Sequence, residues 1–150
     1  MTSLDDDALI SRALSMRARA YAPYSRFTVG CALLCEDGTV VEGCNVENAS
    51  YGLCICAERT AAVAAVAAGK RRFTRVAIAT GSSPPAAPCG ACRQFLVEFL
   101  DADKDMDVLL ANDRGEKTVT TLRTLFPGVF DKAQLQSGQA TNDDDGGGKR

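Results

Sequence analysis

CAERTAAVAAVAAGK, residues 56–70, is a run of alanines and valines that opens on a cysteine and, two residues later, a glutamate. Its composition and spacing predict a helix over 56–68, closed by Gly69. Behind it, FTRVAIAT (73–80) is a short β-rich run bounded by Gly81-Ser82-Ser83-Pro84-Pro85. Ahead of it, the stretch from Phe27 to Glu47 holds two strand-like runs broken by Glu36-Asp37-Gly38, a hairpin signal. A helix set between strands in this way points to an α/β fold, a mixed sheet covered by helices.

The remaining elements extend the same pattern. Residues 4–21 carry Leu9, Ile10, Ala13, Leu14, Ala20 and Tyr21 at roughly helical spacing, with Ser3 or an early Asp as cap and Pro23 beyond the end. GACRQFLVEFL (90–100) resumes helical periodicity, MDVLLA (106–111) reads as a strand, and TLRTLFPGVF (121–130) as a short helix or turn. Past Phe130 the chain turns polar and ends DDDGGGKR, so residues 131–150 are expected to be a disordered tail to a single domain over 1–130.

Composition narrows the function classes. With 46% hydrophobic residues the 150-residue chain can bury one good core. The formal net charge is −2 at pH 7, and basic residues are dispersed apart from Lys70-Arg71-Arg72. That is no footprint for nucleic acid or an anionic membrane, and a small polar ligand fits better. The acidic MTSLDDD start, where a secretory signal would be basic, leads us to expect a cytoplasmic protein. Seven cysteines, an odd number, argue for thiols or a metal rather than a disulfide framework.

PCGAC (88–92) places Cys89 and Cys92 in Cys-x-x-Cys spacing at the start of a predicted helix. Alone, that pair reads equally as a redox dithiol, a structural zinc knuckle or two small buried groups. The chain has no histidine, so a closed four-ligand site would need two more cysteines. Cys31, Cys35 and Cys44 lie in apolar strand runs and read as core, which leaves Cys54 and Cys56. An open, catalytic zinc site needs only three protein ligands, and Cys56, Cys89 and Cys92 supply them, each group at a helix start where the dipole favours thiolate. Glu58 is either a first-turn carboxylate favouring that dipole or a base beside a metal-bound water.

Cys-Ala-Glu followed by Pro-Cys-Gly-Ala-Cys resembles the zinc-dependent cytidine deaminases, a signature described for base deaminases generally. The resemblance runs through YAPYSRFTVG (21–30), GCNVENASYGLCICAERTA (43–61), APCGACRQFL (87–96) and LFPGVF (125–130). It implies a three-layer fold with a central mixed sheet of about five strands flanked by helices. It also implies hydrolytic deamination of cytidine and deoxycytidine to uridine and deoxyuridine with release of ammonia, in pyrimidine salvage. One Zn²⁺ per chain would be held by Cys56, Cys89 and Cys92, and a zinc-activated water would attack C4 while Glu58 shuttles protons through N3 to the leaving amine.

By the same resemblance, Arg59 donates hydrogen bonds to the ligand sulfurs, offsetting a site charge of about −1 from three thiolates on the ion. Asn45 and Glu47 match a ribose-binding pair, Phe27 packs near the nucleoside, and Ala57 borders the substrate. Tyr51 and Phe130 match residues that line a neighbouring subunit's site in homotetrameric members, so a homotetramer with shared active sites is implied. Cys54 is read as a spectator close enough to serve as an alternative thiol ligand.

The hairpin provides a register check. A two-residue Asp37-Gly38 turn would set Phe27 opposite Asn48, whereas a three-residue Glu36-Asp37-Gly38 loop pairs 35 with 39, 27 with 47 and 29 with 45. We expect the three-residue loop, which puts Phe27 on the face of Glu47. Competing functional readings are deamination of a modified, antibiotic-type cytosine nucleoside, editing of a polynucleotide, and a non-catalytic structural zinc protein in which Glu58 is dispensable. The acidic balance disfavours the polynucleotide.

Overall fold

A computed structural model describes residues 4–144 of the chain. The hairpin settles the register: β1 (Gly30–Cys35) pairs antiparallel with β2 (Val40–Cys44), Gly30 opposite Cys44 and Leu34 opposite Val40. Cys35 N–H donates to Thr39 O at 2.8 Å and Gly38 N–H to Cys35 O at 3.0 Å, closing the expected three-residue loop. Gly38 sits at φ +85°, a left-handed conformation that a residue without Cβ adopts at no steric cost.

α2 (Ala57–Ala67) follows, then β3 (Phe73–Thr80), α3 (Gly90–Val97), β4 (Asp107–Asn112) and β5 (Lys117–Thr121). The sheet order is β2-β1-β3-β4-β5, with β3 and β4 parallel and every other pair antiparallel. This is the mixed five-stranded α/β sheet flanked by helices that the resemblance implies. β5 is the strand that pattern reading does not locate: KTVTT is an edge strand with mostly exposed residues, so it carries no apolar alternation.

Both faces of the central strands are buried, which explains their nearly continuous apolar runs. Cys31, Leu33, Cys35, Val76, Ile78, Val108 and Leu110 point to one side, against Ala57, Ala61 and Ala65 of α2 and Leu96 of α3. Ala32, Leu34, Ala77, Ala79, Leu109 and Ala111 point to the other, under Leu9, Ile10 and Ala13 of α1 (Asp6–Met16). Asp5 caps α1, its side chain accepting from Ala8 N–H at 2.7 Å, while Ser3 lies outside the described residues. Cys31 and Cys35 are core as expected, but Cys44 is only half-buried because β2 is an edge strand.

The small residues of α2 serve a close approach to β2. A Cβ on Gly43 would lie 2.5 Å from Ala61 N and 2.6 Å from Ala57 O, so the helix seats only against glycine there. At its far end α2 stops in a Schellman-type turn, Lys70 N–H donating to Ala65 O and Gly69 N–H to Val66 O. α4 (Leu122–Leu125) covers the edge of the core. Within 131–150, where composition pointed to disorder, Lys132–Asp144 form α5, begun by Asp131 accepting from Ala133 and Gln134 N–H. The described side chains of α5, residues 132–139, are exposed, and residues 145–150 lie outside the described residues. No helix among the described residues is long and apolar enough to cross a membrane.

Candidate active site and metal centre

α2 and α3 leave the same face of the sheet with their N-termini converging, and a cysteine is the N-cap of each. Cys56 caps α2 and Cys89 caps α3, both in extended backbone conformation, while Cys92 lies one turn into α3 and is fully buried. The three sulfurs lie within 4.8 Å of one another, with Cys56 Sγ and Cys89 Sγ 3.8 Å apart. Tetrahedral zinc–sulfur bonds of about 2.3 Å place sulfurs about 3.8 Å from one another, so the donor set fits zinc in both chemistry and spacing. Among the described residues these three are the only such group, which leaves one position open. Cys54 does not join them: its sulfur accepts from Asn48 N–H at 3.3 Å.

Thiols packed this closely share protons. Hydrogen bonds from Cys92 first, then from Arg59 and Cys89, hold the Cys56 thiol well below its ordinary range and favour its thiolate form. Cys92 moves the opposite way, raised by its bond to Cys56 and by burial. Arg59 Nη2 donates to Cys56 Sγ at 3.4 Å, and its buried Nε has no hydrogen-bond partner, so the guanidinium is committed to the sulfur cluster rather than to solvent.

Glu58 is 4% exposed at the floor of a cleft of about 370 Å³. Burial, first of all, pushes its carboxyl up to about 7, with the Cys56 thiolate adding to the rise. Phe27, Asn45, Glu47, Cys56 and Cys89 line the same cleft. Asn45 accepts from Val29 N–H and donates to Phe27 O, both at 2.8 Å, continuing the hairpin register beyond the last regular pair. The Glu47 carboxylate accepts from Tyr24 N–H, Ser25 N–H and Ser25 Oγ.

Other expected residues lie off the cleft in the single chain. Ala57 is fully buried beside Glu58. Tyr51 is 74% exposed, its ring meeting Tyr24 edge-on at 5.9 Å, and with Glu47 and Cys54 it borders an adjoining hollow of about 290 Å³. Phe130 is 58% exposed, its carbonyl accepting from Gln94 Nε2 at 2.8 Å.

The structure also adds residues that pattern reading passes over. Ser25, Ile78 and Thr80 line the cleft. Thr80 is buried, its hydroxyl paired with Ser82 Oγ at 2.9 Å, at the end of an apolar strand where nothing in the pattern marks it. Arg93 holds the cysteine loop by donating to Pro88 O at 2.8 Å and to Leu125 O. Its place one residue after Cys92 is the signal that could have found it.

The chain matches the cytidine and deoxycytidylate deaminase zinc-binding region over residues 3–105. It is 46% identical over 132 residues to a cytidine deaminase of Sporosarcina psychrophila, covering 88% of this chain and 96% of that one. A cytidine deaminase of Halalkalibacterium halodurans is 46% identical over 127 residues, covering 85% and 95%. The crystal structure of the cytidine deaminase from Burkholderia pseudomallei superposes with a TM-score of 0.80 at 49% identity, covering 85% of this chain and 100% of that one.

Proposed function

We propose, from the premise that this chain belongs to the zinc-binding cytidine and deoxycytidylate deaminase family, that it hydrolyses cytidine and deoxycytidine to uridine and deoxyuridine with release of ammonia. The observation that carries this reading is the burial of Glu58 in a cleft lined by Cys56 and Cys89, two of the three clustered thiols. Cys56, Cys89 and Cys92 bind one zinc ion per chain. When bound, zinc supplies Lewis acidity next to the reacting carbon.

The chain's own residues supply the rest. Glu58, with its carboxyl near neutral, can take one proton from the attacking water and give it to N3 of the ring, then take the second from the new C4 hydroxyl and give it to the departing amine. Arg59 tempers the negative charge of three thiolates through its bond to Cys56. Asn45 and Glu47 grip the sugar hydroxyls, Phe27 covers the nucleoside, and Ala57 borders the base through the backbone at the start of α2. Among the described residues lining the cleft, Glu47, Glu58 and Cys56 carry or favour negative charge and none carries a positive one. A phosphate would meet repulsion there, which supports a nucleoside rather than deoxycytidylate as substrate.

Tyr51 and Phe130, too exposed to serve their own cleft, support a homotetramer in which each reaches a neighbour's site. Residues 1–130 form the catalytic unit in this reading. Seven free cysteines support a reducing compartment, the cytoplasm.

The test is conversion of cytidine to uridine followed by ultraviolet absorbance, with zinc determined on the same sample. Turnover with about one zinc per chain is expected. Bound zinc without turnover on either nucleoside would overturn the assignment.

A further inference from the structure

We propose that Ser25 is a positioning residue whose hydroxyl couples the Glu47 carboxylate to the Phe27 backbone and so holds the aromatic wall of the cleft in place. The proposal rests on the nucleoside reading above for its consequence, though not for its geometry. Ser25 Oγ donates to Glu47 Oε2 at 2.5 Å and accepts from Phe27 N–H at 3.0 Å. Glu47 Oε1 accepts from Tyr24 N–H at 3.0 Å and Ser25 N–H at 3.1 Å, while Arg26 N–H donates to Ala22 O at 2.9 Å. The turn before Phe27 is thus tied at every step to one carboxylate or to itself.

Such tying has work to do, because Arg26, between Ser25 and Phe27, has φ +59°. A side chain in the left-handed region is disfavoured sterically, so the turn persists only where its surroundings hold it. Relaxing Arg26 to negative φ would swing Phe27 away from Glu47. The bonds also divide the labour of the carboxylate. Oε1 is occupied by two N–H donors, so Oε2, oriented by Ser25, is the oxygen with capacity left for a substrate hydroxyl. Ser25 is also the first cause holding the Glu47 carboxyl below its ordinary range, which keeps it an acceptor.

If only a fraction of molecules holds the competent turn, apparent affinity falls by that fraction while the chemical step is untouched. Ser25→Ala should therefore raise KM for cytidine on the order of tenfold, with kcat and zinc content held. Ser25→Thr, which keeps the hydroxyl, should stay close to the parent protein. Arg26→Gly placed in the Ser25→Ala background should recover part of the loss, because glycine accepts positive φ without the clash. An unchanged KM in Ser25→Ala, a loss confined to kcat, or no recovery with Arg26→Gly would each overturn the proposal. Amide exchange at Tyr24, Ser25 and Phe27, read by NMR on the same samples, needs no turnover and should accelerate in Ser25→Ala. Unaltered exchange overturns the positioning role even if the parent protein proves inactive on cytidine.

Discussion

Glu58 differs from an ordinary first-turn carboxylate in one respect, its burial. At 4% exposure beside a thiolate it is held near neutrality, where a carboxyl can both accept and return a proton. Glu58→Gln keeps shape and hydrogen-bonding reach but removes the proton site. It is expected to retain about one zinc per chain by metal analysis, while kcat for cytidine falls by about 10²–10⁴-fold. Retained activity would assign the carboxylate to favouring the helix dipole from the first turn alone. Its place two residues after Cys56 is legible in the sequence, but its burial is not, because the walls around it come from β3 and the 81–88 loop. Thr80 has no such signal, since its partner Ser82 sits in the loop just beyond its strand, and the reach of Arg93 to Leu125 O, 32 residues away, is made only by folding.

At the scale of elements, the site depends on how closely α2 can lie on the sheet. Gly43 allows that approach, with Thr60 Oγ1 adding a 2.8 Å bond to Cys44 O across the same contact. Gly43→Val would force the helix outward and carry its N-cap, Cys56, away from Cys89 and Cys92. The expected result is destabilisation of about 1–3 kcal/mol in denaturant melts together with reduced zinc content. Stability loss with normal zinc content would show that the cysteine cluster does not feel the helix seat. The hairpin makes a similar point in the sequence direction: loop length and Gly38 were sufficient to place Gly30 opposite Cys44 and Val29 beside Asn45, because strand pairing has a strict two-residue period. The ladder does not reach the expected 27–47 pair, Glu47 N–H donating to Tyr21 O instead. KTVTT lacks such a constraint and becomes a strand only because β4 offers it an edge.

For the whole molecule, the thiol cluster joins the starts of two helices that contact different parts of the sheet, so a bound ion also ties the fold together. Removing zinc with a chelator should lower the melting temperature, since an ion at about 1,000 times its Kd stabilises the folded state by about 4 kcal/mol. Readdition should restore both the melt and turnover, and an unshifted melt would make the ion a passenger in stability. Light scattering should give a native mass of four chains. Tyr51 at 74%, Leu53 at 64% and Phe130 at 58% exposure are costly to leave in water, and burying them between subunits would relieve that cost. A monomer would remove Tyr51 and Phe130 from any shared site.

Local rules were enough for the hairpin register, the two helix starts on cysteine, the Cys89–Cys92 pair and the carboxylate two residues after Cys56. Each is set by spacing along a short stretch of chain, where helix and strand periodicities act directly. The convergence of those helix starts on one point, the burial that lifts Glu58 toward neutrality, and the Ser25 link between Glu47 and the Phe27 turn were decided only in the folded molecule. They depend on distances between segments far apart in sequence, and those distances are set by how the sheet packs its two faces.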